Sequence, residues 1–385
     1  MHCGQAPGNY AQAAGKIALV EAPILPFPTL LFWRRSGKLP FVLINPTIGS
    51  LLNCPDLSTA ARAGVLGVVC VWRNCSTDNA AGQALPFLRP FQGCPGLWVN
   101  GQTGDTLIAP AKKGARVTLV LEAEVTEQAP THTLWAELVG QNRSETVIVN
   151  THTDGPNACE ENGGLALLAL ARSFAAKPLS ERQRSLLFVF ITGHFRIPEL
   201  AVDPKQQATS TWLAQHPELW DGKEGHRRAV AGVTLEHLGA MEWRDDRTRT
   251  RYAPTGQPDY ELIYTGNEEM ERIYQSASRV QTLRRPVTLR PAYDLYLGEG
   301  KALYDAGIPT ISLVPGPTYL SAARPGGDID KLNATLAYQQ LQTFGRVLEE
   351  IEQTPTQQLG TAQQQPLELL LPVLRPILQR IGVDP

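Results

Sequence analysis

The chain has 385 residues, and 35 Lys+Arg against 37 Asp+Glu leave a formal net charge of −2. With no basic excess to hold a phosphate backbone, nucleic acid is excluded as the main partner. Hydrophobic residues at 43% and charged residues at 19% describe a globular chain with a real core, not a disordered one.

The first 130 residues predict short strands divided by Gly and Pro, at 16–21, 40–44, 65–72, 96–99 and 116–125, all rich in Val, Ile and Leu. A helix ends at 59–63, just before the buried-strand pattern AGVLGVVCVW. This reads as a small, mostly β unit with no gathering of His, Asp or Glu. Five of the six cysteines fall in the first hundred residues without a CxxC pair, the pattern of buried free thiols. The greasiest early stretch, 22–33, is broken by Pro23, Pro26 and Pro28, and no apolar run reaches the roughly 18 residues of a membrane span. The opening MHCGQAPGNY lacks a charged segment followed by an apolar one. A soluble, cytoplasmic protein is expected, with no membrane partner.

A different rhythm begins near residue 131. Apolar runs at 146–151, 186–192, 230–235 and 310–314 alternate with helical patterns at 164–175, 268–280 and 331–350. Strands that are apolar throughout, set between helices, predict an α/β fold with a mostly parallel, doubly wound sheet covered on both faces. The chain therefore divides into 1–130, 131–352 and 353–385. The last part is a polar linker, QTPTQQLGTAQQQP, and an apolar tail at 367–381 that contains Pro372 and Pro376. That tail is a candidate for docking on its own protein or on a partner subunit, which makes an oligomer a possible assembly.

In an open parallel sheet, ligands bind at the carboxyl ends of the strands. The first of these strands ends in Thr151-His152-Thr153-Asp154, the second in Thr192-Gly193-His194-Phe195 and the third in Leu235-Glu236-His237. Glu160-Glu161-Asn162-Gly163-Gly164 follows at the mouth of a helix. Taken singly, each has a structural explanation: Glu160 and Glu161 favour a helix N-terminus, and His152 with Asp154 makes a loop hydrogen bond. Their convergence on one sheet edge points to a site. There is no GxSxG, Walker P-loop, GxGxxG or HExxH, and Gly298-Glu299-Gly300-Lys301 is too short to claim a phosphate.

These blocks resemble the M28 zinc aminopeptidases that carry a protease-associated (PA) domain. AARAGVLGVV and PGLWVNGQTGDTLIAPAKKGARVTLVLEAE are similar to the PA domain, placed at 1–130. ETVIVNTHTDG, EENGG, LLFVFITG, VTLEHLGA and AGIPTISLVPG are similar to the peptidase domain, placed at 131–352. The resemblance implies metal ligands at His152, Glu161 and Glu236, with Glu161 preferred over Glu160, and Asp154 orienting His152. It implies a general base where this chain has His194, and an oxyanion donor at Tyr319. His194 is either that base or a further ligand, and His237 either joins the set or points into the fold. The private ligands of the family's second zinc fall at Phe195 and Leu320, which cannot coordinate metal. One divalent metal is therefore expected, zinc first and manganese or iron as substitutes. The expected function is a hydrolase of peptide or other amide bonds. The alternative is a degenerate relative that binds a partner, without metal or chemistry.

Overall fold

The computed structural model describes residues 1–47, 49, 53–83, 93–124, 126, 129–194, 208–291 and 295–363. Near the N-terminus, β1 (His2–Gln5), β2 (Ile17–Pro23), β6 (Gly67–Arg73) and β7 (Gly96–Val99) form a parallel sheet in the order β1-β2-β6-β7. Two minimal strands, β3 (Phe27–Pro28) and β5 (Val42–Leu43), pair antiparallel, and Phe27 and Leu43 pack with Leu262, Val287 and Leu289. Helices at Leu57–Arg62, Thr77–Ala80 and Gly101–Lys112 accompany the four-stranded sheet, so the unit is more helical than its sequence suggests. The longest of them carries Pro110 and two glycines, which are weak helix signals.

The predicted strand at 116–125 does not form. Residues 116–124 make no ladder among the described residues, and Val125 lies outside them. Val117, Val120 and Leu121 are exposed, and the Leu119 side chain packs back close to Gly67. An alternating apolar pattern is only a potential until a neighbouring strand satisfies its N–H and C=O groups.

The large sheet has eight strands, built from β4 (Trp33–Arg34), β8 (Leu134–Leu138), β9 (Asn142–His152), β10 (Arg184–Ile191), β11 (Arg228–Leu235), β14 (Glu261–Thr265), β15 (Pro286–Arg290) and β16 (Thr310–Leu313). Their order is β4-β15-β14-β16-β11-β9-β10-β8. The four predicted apolar runs are its centre, β16, β11, β9 and β10, all parallel to one another. Edge strands β8 and β4 run antiparallel to their neighbours, as does the β14–β16 pair. A hairpin of β12 (Met241–Asp245) and β13 (Tyr252–Pro258) stands apart from the sheet.

Helices cover both faces. Gly163–Ala175, Glu268–Ala277 and Ala334–Gln353 bury Leu167, Leu170, Ile273, Phe344 and Val347 against β9, β11 and β16. On the other face, Ala208–Gln215 and Gly300–Asp305 bring Trp212, Leu213 and Leu303 against Ile148, Leu187 and Val189. Asn267 and Asn333 cap two of these helices by accepting from Met270 N–H and Leu336 N–H, both at 2.9 Å. Arg184, at the start of β10, ties the end of the Ala334–Gln353 helix to the sheet. It pairs with Glu145 at 2.7 Å and donates to the carbonyls of Ile351, Glu352 and Thr354. Among the described residues, no helix is long and apolar enough to cross a membrane. The apolar tail at 367–381 lies outside them.

Candidate metal centre

The centre lies at the carboxyl ends of β9, β10 and β11. His152 is the last residue of β9 and 1% exposed. Its Nδ1 lies 3.0 Å from the carbonyl of Asp154. A carbonyl only accepts, so Nδ1 carries the proton and Nε2 faces the cluster. His237 repeats this arrangement: Nδ1 donates to the carbonyl of Pro315 at 2.6 Å, leaving Nε2 on the inner side.

Two adjacent residues of a regular strand point to opposite faces. The left-handed backbone of His237, at φ 56°, breaks that alternation just beyond β11. As a result Glu236 and His237 both reach the cluster: Glu236 Oε2 lies 3.8 Å from His152 Nε2, and the His237 ring is 5.5 Å from that of His152. Of the two orientations open to His237 in the sequence, the structure has the inward one.

Glu160, not Glu161, turns into the centre. Asn157 fixes the preceding turn, its Oδ1 accepting from the N–H groups of Cys159 (3.0 Å) and Glu160 (3.1 Å) while its Nδ2 donates to three carbonyls at 319–322. In that conformation Glu160 is 3% exposed and reaches His194 Nε2 and His237 Nε2, both at 3.3 Å. Glu161, the residue the resemblance implies as ligand, is exposed.

His194, just past β10, stacks on His152 with ring centroids 3.8 Å apart. Its Nδ1 meets Asp154 Oδ1 at 2.9 Å, and Asp154 Oδ2 accepts the N–H groups of Gly193 and His194. Asp154 thus holds His194 by its side chain and His152 by its carbonyl. Phe195 lies outside the described residues. Leu320 packs with Cys159, Ala240 and Tyr319.

The electrostatics follow from this mutual pairing. Burial alone would lower the His194 pKa, but the carboxylates of Asp154 and Glu160 override it and raise it to about 10. A carboxylate on each ring nitrogen is the arrangement that holds a proton on an imidazole. Burial would raise Glu160, yet His237 and His194 hold it well below the usual carboxylate range. His237 rises, its burial outweighed by Glu160. His152 falls to about 3, through burial and then the charge on His194. Glu236 is pushed up to about 7 by burial, against the pull of His237 and the Glu299 N–H.

The Tyr319 hydroxyl, expected as an oxyanion donor, is bonded to backbone. The residue is fully buried, and the hydroxyl lies 3.0 Å from the Met241 carbonyl, 3.1 Å from the Lys331 carbonyl and 3.1 Å from the Met241 N–H. Glu299 and Thr209, neither of them at a predicted strand end, join the cluster through Glu236. Glu299 N–H donates to Glu236 Oε1 at 2.7 Å, and the Glu299 carboxylate accepts from the Thr209 hydroxyl. The Gly-Glu-Gly spacing at 298–300 is the only trace of this in the sequence.

Among the described residues, two donor sets fit a cation. His152, Glu160 and His237 bring one ligand atom each within 4.8 Å of one another, as do His152, Asp154 and His194. The first set has the second-sphere support of a metal site, because each imidazole gives its other N–H to a backbone carbonyl. Two histidines and a glutamate are also a donor set of catalytic zinc.

A mostly parallel eight-stranded sheet with imidazoles and carboxylates gathered at its strand ends defines an α/β protein of the metal-dependent peptidase type of fold. More particularly, the chain has the M28 aminopeptidase fold. It is similar to BSAP, a zinc aminopeptidase from Bacillus subtilis, at TM-score 0.53 and 13% identity, over 92% of this chain and 75% of that one. It is also similar to a peptidase M28 precursor from Shewanella amazonensis SB2B, at TM-score 0.58 and 15% identity, over 94% and 73% of the two chains. No family model and no curated protein matches the sequence.

Proposed function

We propose that this chain is a metal-dependent hydrolase of peptide or other amide bonds, working with a single divalent metal held by His152, Glu160 and His237. Zinc is the first choice, and manganese or iron also suits imidazole and carboxylate donors. The observation that carries the reading is the pair of inward Nε2 atoms, each backed by a backbone carbonyl, on either side of a buried carboxylate. A metal in that set supplies Lewis acidity and lowers the pKa of bound water. Glu236 has Oε1 capped by the Glu299 N–H and Oε2 turned towards His152, so Oε2 would take the proton from the attacking water. His194, held by Asp154, delivers a proton to the departing amine. In this reading residues 1–130 are a PA-like appendage to the peptidase unit at 131–352.

Elemental mass spectrometry of wild type, His152→Ala and His237→Ala tests the proposal, alongside turnover of aminoacyl anilides. The expected result is one equivalent of metal in the wild type, lost in both variants, with turnover that a chelator abolishes. Two equivalents would overturn the single-metal reading, because the His152–Asp154–His194 set shares the His152 Nε2 and cannot be filled beside the first. No metal after zinc, manganese and iron are supplied would overturn the reading and leave a binding module as the account of this cluster.

A further inference from the structure

The segment Gly298-Glu299-Gly300 comes closer to the centre than any side chain would permit. Gly298 has φ +83°, and a Cβ there would lie 2.5 Å from Glu236 Oε2 and 2.8 Å from Oε1. A Cβ on Gly300 would lie 2.1 Å from Ser312 Oγ. Backbone thus lies directly against the Glu236 carboxylate. The N–H of Glu299 caps Oε1, and Oε2 is the oxygen left towards His152.

Glu299 is itself anchored. It is 2% exposed, and its carboxylate accepts the Thr209 hydroxyl and, at 3.3 Å, the Thr209 N–H. Its carbonyl accepts from Asn150 Nδ2 at 3.3 Å, while Asn150 also donates to Thr209 Oγ1 and accepts from Thr234 Oγ1. A buried carboxylate held by a hydroxyl and an amide is a costly feature to keep unless it fixes something. What it fixes is the peptide that caps Glu236.

We propose that Gly298-Glu299 is a carboxylate cradle and that Glu299 is the positioning residue for Glu236, setting which of its oxygens faces His152. The significance for chemistry rests on the hydrolase reading above, but the cradle is testable without it. The first measurement is urea unfolding of Gly298→Ala in the wild-type background and in Glu236→Ala. Gly307→Ala is the control for backbone strain alone, since Gly307 has φ +82° and a Cβ there meets nothing within 4 Å. Gly298→Ala should lower the urea midpoint more than Gly307→Ala, and the excess should vanish once Glu236 is shortened to Ala. An equal loss in both backgrounds overturns the cradle, whether or not metal binds.

The second measurement is zinc content read together with turnover of an aminoacyl anilide. Glu236 is outside the proposed ligand set, so Gly298→Ala and Glu299→Ala should keep their zinc and lower kcat about 10–100-fold with KM little changed, as a misplaced proton acceptor does, with Glu299→Gln restoring most of it and Gly307→Ala unchanged. A wild type that turns over beside a Gly298→Ala variant with the same kcat overturns the positioning role and leaves the hydrolase reading intact. A wild type that binds no metal overturns that reading, and the unfolding cycle still decides the cradle.

Discussion

Gly163→Ala is the substitution that couples packing to the centre most directly. Gly163 opens the Gly163–Ala175 helix where β9 and β11 end side by side, joined by a hydrogen bond from Thr151 Oγ1 to the Leu235 carbonyl at 2.6 Å. A Cβ at 163 would lie 2.0 Å from that Oγ1 and 2.5 Å from that carbonyl oxygen. Reaching ordinary contact at 3.4 Å from Oγ1 means opening a gap of 1.4 Å along that line. The next residues are His152 and Glu236, so the wedge separates the strand ends that carry them. Overpacking costs about 1–3 kcal/mol, and losing the Thr151–Leu235 bond adds roughly 1 kcal/mol. Helix propensity offsets less than about 1 kcal/mol of this at a first-turn position. The expected outcome is a urea-unfolding loss of about 1–3 kcal/mol, with zinc affinity or turnover down by about 10²-fold, the usual effect of a 1 Å misplacement. Gly164→Ala is the matched control: its Cβ meets Thr153 Cγ2 at 3.1 Å and Phe190 at 3.9 Å, so a shift of a few tenths of an ångström at Thr153 is all it asks, and it should cost less than Gly163→Ala. A Gly163→Ala protein that unfolds and binds zinc like the Gly164→Ala control would refute the reasoning.

Other expectations test separate parts of the structure. Glu160→Ala should abolish metal retention while Glu161→Ala keeps it, and the reverse pattern in elemental analysis would refute Glu160 as the ligand. Tyr319→Phe strands a Met241 N–H and two carbonyls, so it should lower stability by about 1–3 kcal/mol in thermal melts and leave metal content unchanged. Arg184→Met leaves Glu145 and several helix-end carbonyls without their partner and should cost about 3–5 kcal/mol in urea unfolding; a loss under about 1 kcal/mol would contradict that role. Burial, and then the charge of Glu242, push Asp259 up to about 7, above its unfolded value, so ionising it costs stability as pH rises towards that value. Asp259→Asn should therefore raise Tm at pH 8 and give little at pH 4, and a gain independent of pH would count against it.

The parts of the fold that could be read from the sequence are those whose burial is complete. β9, β10, β11 and β16 are buried on both faces, so their residues form unbroken apolar runs, and the helices between them show the helical period. β8 is half exposed, and β4 is two residues long, so neither leaves such a run. The stretch at 116–124 errs the other way: its pattern suits a strand, but the ladder depends on a neighbour the pattern cannot supply. The site divides on the same line. That His152, His194, Glu236 and an acid from Glu160-Glu161 share one edge follows from strand order, which the sequence carries. Which acid turns inward is set by Asn157, whose side chain holds carbonyls more than 160 positions away. Whether His237 joins them is set by one left-handed residue, and the choice of oxygen on Glu236 is set by a glycine that lets a distant peptide approach. Residue types at strand ends therefore name the candidates, and backbone conformation at the turns beyond those ends chooses among them.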